Sequence, residues 1–385
     1  MTLRASKPSF NVREKLNQLE RPIGVKGNEL MGAETAQEAR DLVSAGRKNA
    51  LYNGDMQIWQ RGTLFPNGGG SGAVNYTADR WNATRYASSE NDVGREDANY
   101  LGFRYCLRSA RGGGDTTTTA RFVHQVLEQR DTWKLRGNYI TFSFYLRVGS
   151  GFNGGLVRSY ITYHTDSARE ERFYYNQFIS GNNTFKQLEH KSLSTDWQRY
   201  THTIYLPDNA QQVGVSIASN ENLPNAVSAD YFEITGCQLE VGKNATDFEH
   251  RSYGEELALC QRYCQRLGPD DGTSASHYNS IASGWLRSGS VLSYSLQTQT
   301  DLPVRMRTIP TASVGGGTNT FYAQYGGTSI TCSLSQPNIQ GSSPQKVWLD
   351  FQPSSTAGTD GLRVVVGSDN SSGGQANYII LSAEL

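Results

Sequence analysis

The sequence lacks the features that mark disulfide-rich, membrane-spanning and nucleic-acid-binding proteins. Its five cysteines lie at wide spacing among 385 residues, and this odd number excludes a disulfide framework. No apolar run approaches the roughly 18 residues of a membrane span, and no secretory signal is visible. Lysine plus arginine and aspartate plus glutamate both number 36, so no basic excess indicates nucleic acid or an anionic membrane. We expect a protein made in a reducing cytoplasm, with neither kind of partner.

The motifs of the common enzyme classes are also missing. The sequence contains no G-x-S-x-G, no H-E-x-x-H and no P-loop, and its six histidines are scattered singly. The glycine runs at 68–70 and 112–114 do not lead from a strand into a helix with a lysine, so they are not phosphate cradles. The sequence therefore predicts no active site and favours a protein that is not an enzyme.

Glycine and tyrosine, in contrast, are abundant, with 40 and 21 residues, and the pattern around them is that of β-strands. Residues 135–146 alternate, which places Ile140, Phe142 and Phe144 on one face. Residues 197–206 alternate in the same way, and Gly236 predicts a bulge in a later strand. We therefore predict an all-β protein in which residues 49–251 form a two-sheet sandwich.

Residues 1–48 differ from this region in composition, and their charges follow helical spacing. Thr35 and Glu38 form a capping box for a short helix that ends near Gly46. Two short helices cannot bury a core by themselves. The segment is either a frayed terminus or an anchor that is ordered by docking on other chains. We favour the anchor, because clear caps are rare in disordered tails.

Residues 252–268 are predicted to form a connecting helix that starts at a second capping box, Ser252 to Glu255. Its apolar positions follow the 3-4-3 spacing of a heptad seam: Leu257, Cys260, Cys264 and Leu267. The helix lies either on the preceding sandwich or on the axis of a trimer. No histidine or cysteine pair completes a zinc site, so both cysteines are expected to be core residues.

Residues 269–385 return to strand patterns separated by turns rich in glycine, serine, asparagine and threonine. We predict a second, smaller β-sandwich that uses the C-terminus as one of its strands. If this domain is the distal tip of the molecule, its loops are where recognition would concentrate.

Two stretches resemble a domain of bacteriophage tail-fibre proteins. The first is Asn-Gly-Asp-Met-Gln-Ile-Trp-Gln-Arg-Gly at 53–62, and the second is Tyr-Phe-Glu-Ile-Thr-Gly-Cys-Gln-Leu-Glu-Val-Gly at 231–242. The leader at 7–16 is similar to those of marine phage fibres. The resemblance implies a virion fibre, usually trimeric, that contacts host-surface glycans. Residues 1–48 would then attach it to other virion proteins.

The central region is also similar, more loosely, to jelly-roll carbohydrate-binding modules. That resemblance implies a jelly-roll sandwich at 49–251, and in such modules a structural calcium commonly joins the first and last strands. Asp55, Asp230 and Glu240 supply oxygen ligands of the right type for this ion.

Sugar rings bind by stacking on exposed aromatic side chains. Trp59 lies in the first fibre-like stretch, and Trp81 ends the segment Tyr-Thr-Ala-Asp-Arg-Trp at 76–81, which shares the same resemblance. Both are at strand positions and are expected to pack in the core. The remaining candidates lie in the middle of the sandwich and in the C-terminal domain: Tyr163, Tyr174, Trp285, Tyr322 and Tyr325.

Three functions fit these features. The leading one is a homotrimeric virion fibre or spike that adsorbs to a host glycan. The second is an enzyme, a capsule depolymerase, although the short repeats of a β-helix are absent. The third is a purely structural head fibre or connector.

Overall fold

The computed structural model describes about two thirds of the chain. The described residues are 47–66, 75–85, 91–111, 120–166, 170–179, 183–219, 227, 229–268, 280–288, 294–315, 321–325, 328–337, 342–353, 363–368 and 378–384. The chain divides into two compact units, Met1–Lys48 and Asn49–Leu385. The predicted N-terminal helices and anchor lie outside the described residues.

The described part of the second unit is almost entirely β-structure, as predicted. Its first fourteen strands are β1 Leu64–Phe65, β2 Asn75–Tyr76, β3 Asn82–Arg85, β4 Asp92–Tyr100, β5 Phe103–Ala110, β6 Arg121–Val126, β7 Asn138–Val148, β8 Val157–His164, β9 Phe173–Tyr174, β10 Gln177–Phe178, β11 Asn183–His190, β12 Gln198–Leu206, β13 Gln212–Ser219 and β14 Tyr231–Val241. Between β6 and β7 lie a one-turn helix, α1 (Gln129–Thr132), and a 3-10 helix (Trp133–Leu135).

The second half contains one helix and nine further strands among its described residues. These are α2 Tyr253–Gln261, β15 Cys264–Leu267, β16 Ser280–Ser288, β17 Tyr294–Asp301, β18 Thr311–Gly315, β19 Phe321–Tyr325, β20 Thr328–Pro337, β21 Lys346–Pro353, β22 Arg363–Ser368 and β23 Tyr378–Ser382. No helix in the described ranges is both long and apolar enough to cross a membrane.

Two six-stranded antiparallel sheets form the central sandwich. The strand order is β1-β4-β5-β14-β7-β12 in the first sheet and β11-β8-β13-β6-β3-β2 in the second. The orders β5-β14-β7-β12 and β11-β8-β13-β6 are those of a jelly roll, in which paired strands alternate between two sheets. The predicted sandwich is therefore confirmed.

The core of the sandwich comes from the alternation visible in the sequence. Ile140, Phe142 and Phe144 of β7 face Val215 and Ile217 of β13 within one buried cluster. Each such side chain contributes about 1.5–3 kcal/mol to folding when it leaves water.

The bulge predicted at Gly236 is confirmed. The pairing of β14 with β7 shifts register between Thr235 and Gln238, and the intervening Gly236 has φ 60°.

Helix α2 is shorter than predicted. The Ser252 side chain caps it by accepting a hydrogen bond from the Glu255 N–H at 3.3 Å, as expected. It ends at Gln261, however, and Cys264–Leu267 pairs with β23 as strand β15. The heptad seam of Leu257, Cys260, Cys264 and Leu267 is therefore wrong, because cross-strand pairing of its last two members replaces the final helical turn. Both cysteines are fully buried core residues, as predicted.

The prediction of a second β-sandwich in the C-terminal region is wrong, because most of its strands form a closed barrel and not two stacked sheets. Strands β16, β17, β21, β20, β19 and β22 form a closed barrel, in which β22 pairs with both β16 and β19. Closure removes the exposed edges that two stacked sheets would leave. Beside the barrel, β15, β23 and β18 form a separate three-stranded sheet, so the C-terminal residues do supply a strand.

Candidate ligand-binding groove

The fibre-like motif at 53–62 is built into the interior of the sandwich. Asn53 adopts φ 52°, and its side-chain amide donates to the carbonyls of Ile58 at 2.8 Å and Asp79 at 3.0 Å. The Trp81 indole N–H donates to the carbonyl of Asn53 at 2.9 Å. Trp59 and Trp81 are buried, as predicted. The hydrogen bonds of Asn53 and the buried indoles therefore hold the motif in a tight turn, which gives these residue types a structural role.

The same turn is connected to the C-terminal strand by charged side chains. Arg61 lies 3.2 Å from Glu384 and 3.9 Å from Asp79, and Arg80 is ion-paired with Glu384. All four side chains are nearly or fully buried. The three-stranded sheet is thereby held against the first strands of the sandwich.

An open groove of about 570 Å³ lies where these two parts meet. Its volume falls within the range of small-molecule sites, about 300–1,000 Å³. The sandwich contributes one wall and strands β18 and β23 contribute the other. The lining residues are Arg61, Leu64, Phe65, Pro66, Asn75, Tyr76, Ser313, Val314, Gly315, Tyr378, Ile380 and Ser382.

Three aromatic rings line this groove, and they are not equally available to a ligand. Tyr378 is buried, because the guanidinium of Arg266 lies 3.6 Å from its ring centre and Gly315 packs against the ring. Phe65 and Tyr76 are half-buried. Phe65 stacks on Trp59 with ring centres 6.4 Å apart. The guanidinium of Arg61 lies 5.2 Å from the centre of the Tyr76 ring. Phe65 and Tyr76 are the less buried rings of the groove, so any stacking contact with a ligand would use their remaining surface.

The net charge of the polar groups around the groove is close to zero. Arg61 is the one charged side chain among the lining residues, and Glu384 and Asp79 offset its charge. Arg61 Nη2 also donates to Ser382 Oγ at 3.2 Å, whereas Nη1 has no hydrogen-bond partner. Burial, followed by the nearby Glu384, raises the pKa of the Tyr76 phenol, which therefore stays protonated at neutral pH. These groups suit a ligand rich in neutral hydroxyls.

The sequence-predicted ligand residues lie elsewhere. Tyr163 is half-buried and packs against the sandwich core. Tyr174 lies in β9, Trp285 in β16, and Tyr322 and Tyr325 in β19, but their side chains are outside the described part of the structure. The structure does not bring Tyr163 into the groove, and its role as a ligand residue stays a prediction.

A short hairpin covers part of the outer face of the second sheet. The hairpin of β9 and β10 places Phe173 and Phe178 over this face, and their rings lie 4.6 Å apart. A Cβ at Gly214 would overlap the Phe173 ring, so the hairpin rests directly on the strand backbone. The rings of Phe173 and Phe178 therefore pack on this face of the sheet.

The proposed calcium ligands do not form a site. Asp230 is buried and bonds to Arg111 at 2.9 Å and to Arg121 at 3.4 Å. The Glu240 carboxylate accepts hydrogen bonds from Gln238 and Thr246, and that of Asp55 accepts one from Gln57. No cluster of three or more metal-binding side chains occurs in the described ranges. Asp55, Asp230 and Glu240 therefore do not come together as one calcium site in the described residues, and a structural calcium stays a prediction.

Sequence reasoning missed every residue of the groove as a ligand contact. Its two walls come from segments about 250 residues apart in the chain, and no local pattern reports such a pairing. The one available signal was the pair of aromatics at Phe65 and Tyr76, which flank a glycine-rich stretch after the motif.

No family model and no curated protein matches the chain. Among solved structures, the chain is similar to the enzymatically active domain of tailspike protein 4 of bacteriophage CBA120, with 11% identity and a TM-score of 0.29 over 50% of this chain and 21% of that chain. It is also similar to the C-terminal family 22 carbohydrate-binding module of Clostridium thermocellum Xyn10B, with 13% identity and a TM-score of 0.31 over 48% and 98%. A third is the CBM22-1 xylan-binding domain of Paenibacillus barcinonensis Xyn10C, with 10% identity and a TM-score of 0.27 over 47% and 94%. Likenesses this weak do not transfer a function to this chain.

Proposed function

We propose that this protein is a non-catalytic carbohydrate-binding protein, and that its binding site is the groove between the sandwich and the three-stranded sheet. The observation that carries the proposal is the combination of half-buried Phe65 and Tyr76 with a nearly neutral polar lining. Aromatic faces bind the C–H faces of sugars, and polar groups fix the orientation of the hydroxyls. The expected ligand is a neutral oligosaccharide.

The groove residues also support a binding role over a catalytic one. Glycoside hydrolysis requires a pair of carboxyl groups on either side of the scissile bond. The lining residues of the groove include no carboxylate, histidine or cysteine. We therefore expect no release of reducing ends from host polysaccharides, and such release would contradict this part of the proposal.

We further propose that the protein acts in a virion, as a tail fibre or spike that adsorbs to a host-cell glycan. The resemblance of residues 53–62 and 231–242 to phage fibre proteins supports this setting. Residues 1–48 would contact other virion proteins, and the fibre would be a homotrimer. Several weak sites acting together convert low affinity into firm attachment. Mass photometry of the purified chain tests the assembly, and a strict monomer at micromolar concentration would count against it.

A groove-filling variant tests the site itself. Ser313 is exposed on β18 and lines the groove, so Ser313→Trp should obstruct it without removing a buried contact. Thr201→Trp adds the same ring at an exposed position of β12 and serves as the control. On a glycan array, the wild type and Thr201→Trp should bind the same neutral glycans, and Ser313→Trp should lose them. Silence of all three proteins, or equal binding by all three, would refute the groove as the site.

A further inference from the structure

A second surface feature lies at the end of the sandwich, in the segment between β6 and β7. Trp133 opens the 3-10 helix and is 59% exposed. Trp59, Trp81 and Trp197 are buried in the same sandwich. An indole costs free energy when it is left in water, and exposed tryptophans are enriched in binding sites.

The arginine next to this indole has no acidic partner among the described residues. The Arg136 guanidinium lies 5.4 Å from the centre of the Trp133 ring. Its Nη2 donates to Gln211 Oε1 at 3.0 Å, and its Nε has no hydrogen-bond partner. Lys134, between the two, is exposed. The charge of Arg136 is therefore not offset within the described structure.

The acidic side chains of the same segment face inward. Glu128 accepts two hydrogen bonds from Arg262, both at 3.0 Å, and a third from the Tyr263 hydroxyl at 2.6 Å. Asp131 accepts one from the Tyr52 hydroxyl at 2.7 Å. Glu128 also lies 3.1 Å from the exposed Arg130, so both carboxylates of the segment already have partners. The outer surface of the segment carries the exposed indole beside the Arg136 guanidinium, and the exposed Lys134 is the next residue after Trp133 in the chain.

We propose that Trp133, Lys134 and Arg136 form a second binding site, separate from the groove, for an acidic sugar. The sugar ring stacks on the exposed surface of the indole, and the guanidinium and the ammonium bind its carboxylate. Arginine suits this role, because its planar fork matches a carboxylate and it is always charged. The ligand class is a saccharide with a uronic or sialic acid residue. The groove, with its offset charges, favours neutral sugars instead.

Titration calorimetry on the full chain tests this site with three probes: oligogalacturonate, a glucuronate-containing oligosaccharide and a sialylated oligosaccharide. At least one acidic probe should bind, and its methyl ester should bind roughly tenfold more weakly, because one charge-assisted contact is worth about that factor. Trp133→Ala and Arg136→Gln should each weaken binding of the acid by roughly tenfold. Arg136→Lys should lose less, since it retains the charge.

Matched variants separate this site from other exposed groups and from the groove. Tyr205→Ala removes an exposed aromatic, and Lys191→Gln removes an exposed cation, of which 49% and 72% are accessible to solvent. Both variants, and Ser313→Trp in the groove, should bind the acidic probe like the wild type. The inference is overturned if no acidic probe binds, if acid and ester bind equally, or if Trp133→Ala and Arg136→Gln leave affinity unchanged.

Discussion

The guanidinium of Arg80 lies 3.7 Å from the centre of the Tyr263 ring, and both side chains are fully buried. Arg80 also donates to the Val126 carbonyl at 2.7 Å and is ion-paired with Glu384. One side chain therefore joins the sandwich, the segment after helix α2 and the C-terminal strand. The wall of the groove formed by β18 and β23 depends on this connection.

Replacement of Arg80 should destabilise the protein strongly. Arg80→Met removes a fully buried cation and leaves the Glu384 carboxylate with less compensation, a change that costs about 3 kcal/mol. Arg158→Met is the control, because the ion pair of Arg158 with Glu189 is solvent-exposed and screened, so its loss should change stability little. Urea unfolding measures both free energies. Equal losses in the two variants would contradict the role given to Arg80.

Alanine substitution should destabilise the protein at Gly54 and stabilise it at Gly254. A Cβ at Gly54 would overlap the carbonyl oxygen of Cys237, whereas nothing lies within 4 Å of a Cβ at Gly254 in helix α2. Gly54→Ala must displace a backbone strand and should cost about 1–3 kcal/mol. Gly254→Ala should stabilise the helix by about 0.5–1 kcal/mol. A neutral Gly54→Ala in thermal unfolding would show that the motif turn is not tightly packed.

The protein should lose stability as the pH falls below neutral. The Ser159 hydroxyl lies 2.9 Å from His190 Nε2 and 3.1 Å from His202 Nδ1, and all three side chains are buried. Burial, with a smaller effect of His190, lowers the pKa of His202 to about 4 from its ordinary 6.5. The folded state therefore disfavours the proton that the unfolded state accepts. The contribution of His202 to this loss begins near pH 6.5 and grows towards pH 4, at about 1.4 kcal/mol for each pH unit.

A histidine variant checks the source of this pH dependence. His202→Gln keeps a polar side chain without the titration, so its unfolding free energy should fall less between pH 6.5 and pH 4 than that of the wild type. Thr201→Gln, a substitution without a titratable group at an exposed position, should keep the wild-type slope. Identical slopes in all three proteins would place the acid sensitivity elsewhere.

The aromatic ring of Tyr76 should contribute more to glycan affinity than its hydroxyl does. Tyr76→Phe keeps the aromatic face in the groove and should retain most of the affinity for a neutral glycan. Tyr76→Ala should weaken binding by roughly tenfold, as loss of one stacking contact does. Calorimetry with a glycan selected on the array measures both constants, and circular dichroism verifies folding. Equal affinities in Tyr76→Ala and the wild type would exclude this ring from the site.

Local sequence patterns were sufficient for the sandwich. Alternation placed Phe142 and Phe144 in the core, Gly236 marked the bulge, and the Ser252 cap started helix α2 at the correct residue. Each of these features depends on interactions between near neighbours or on the period of a single strand. They also explain why both cysteines of the α2 region, Cys260 and Cys264, were correctly placed inside.

Features that depend on distant strands were not visible in the sequence. The α2 helix ends early because Cys264–Leu267 pairs with a strand more than 100 residues later, and the barrel closes because β22 finds two partners. The groove arises in the same way, from Tyr76 and Ser313 on separate sheets. Cross-strand register of this kind is set by the whole fold, so periodicity within one segment does not reveal it.

The central claim is that the groove between the sandwich and the three-stranded sheet holds a sugar. A crystal structure of the full chain with an array-selected neutral oligosaccharide tests it most directly. The account predicts a sugar ring against Tyr76 or Phe65, with its hydroxyls near Arg61 and Ser382. An oligosaccharide bound at another surface, with the groove empty, would contradict it.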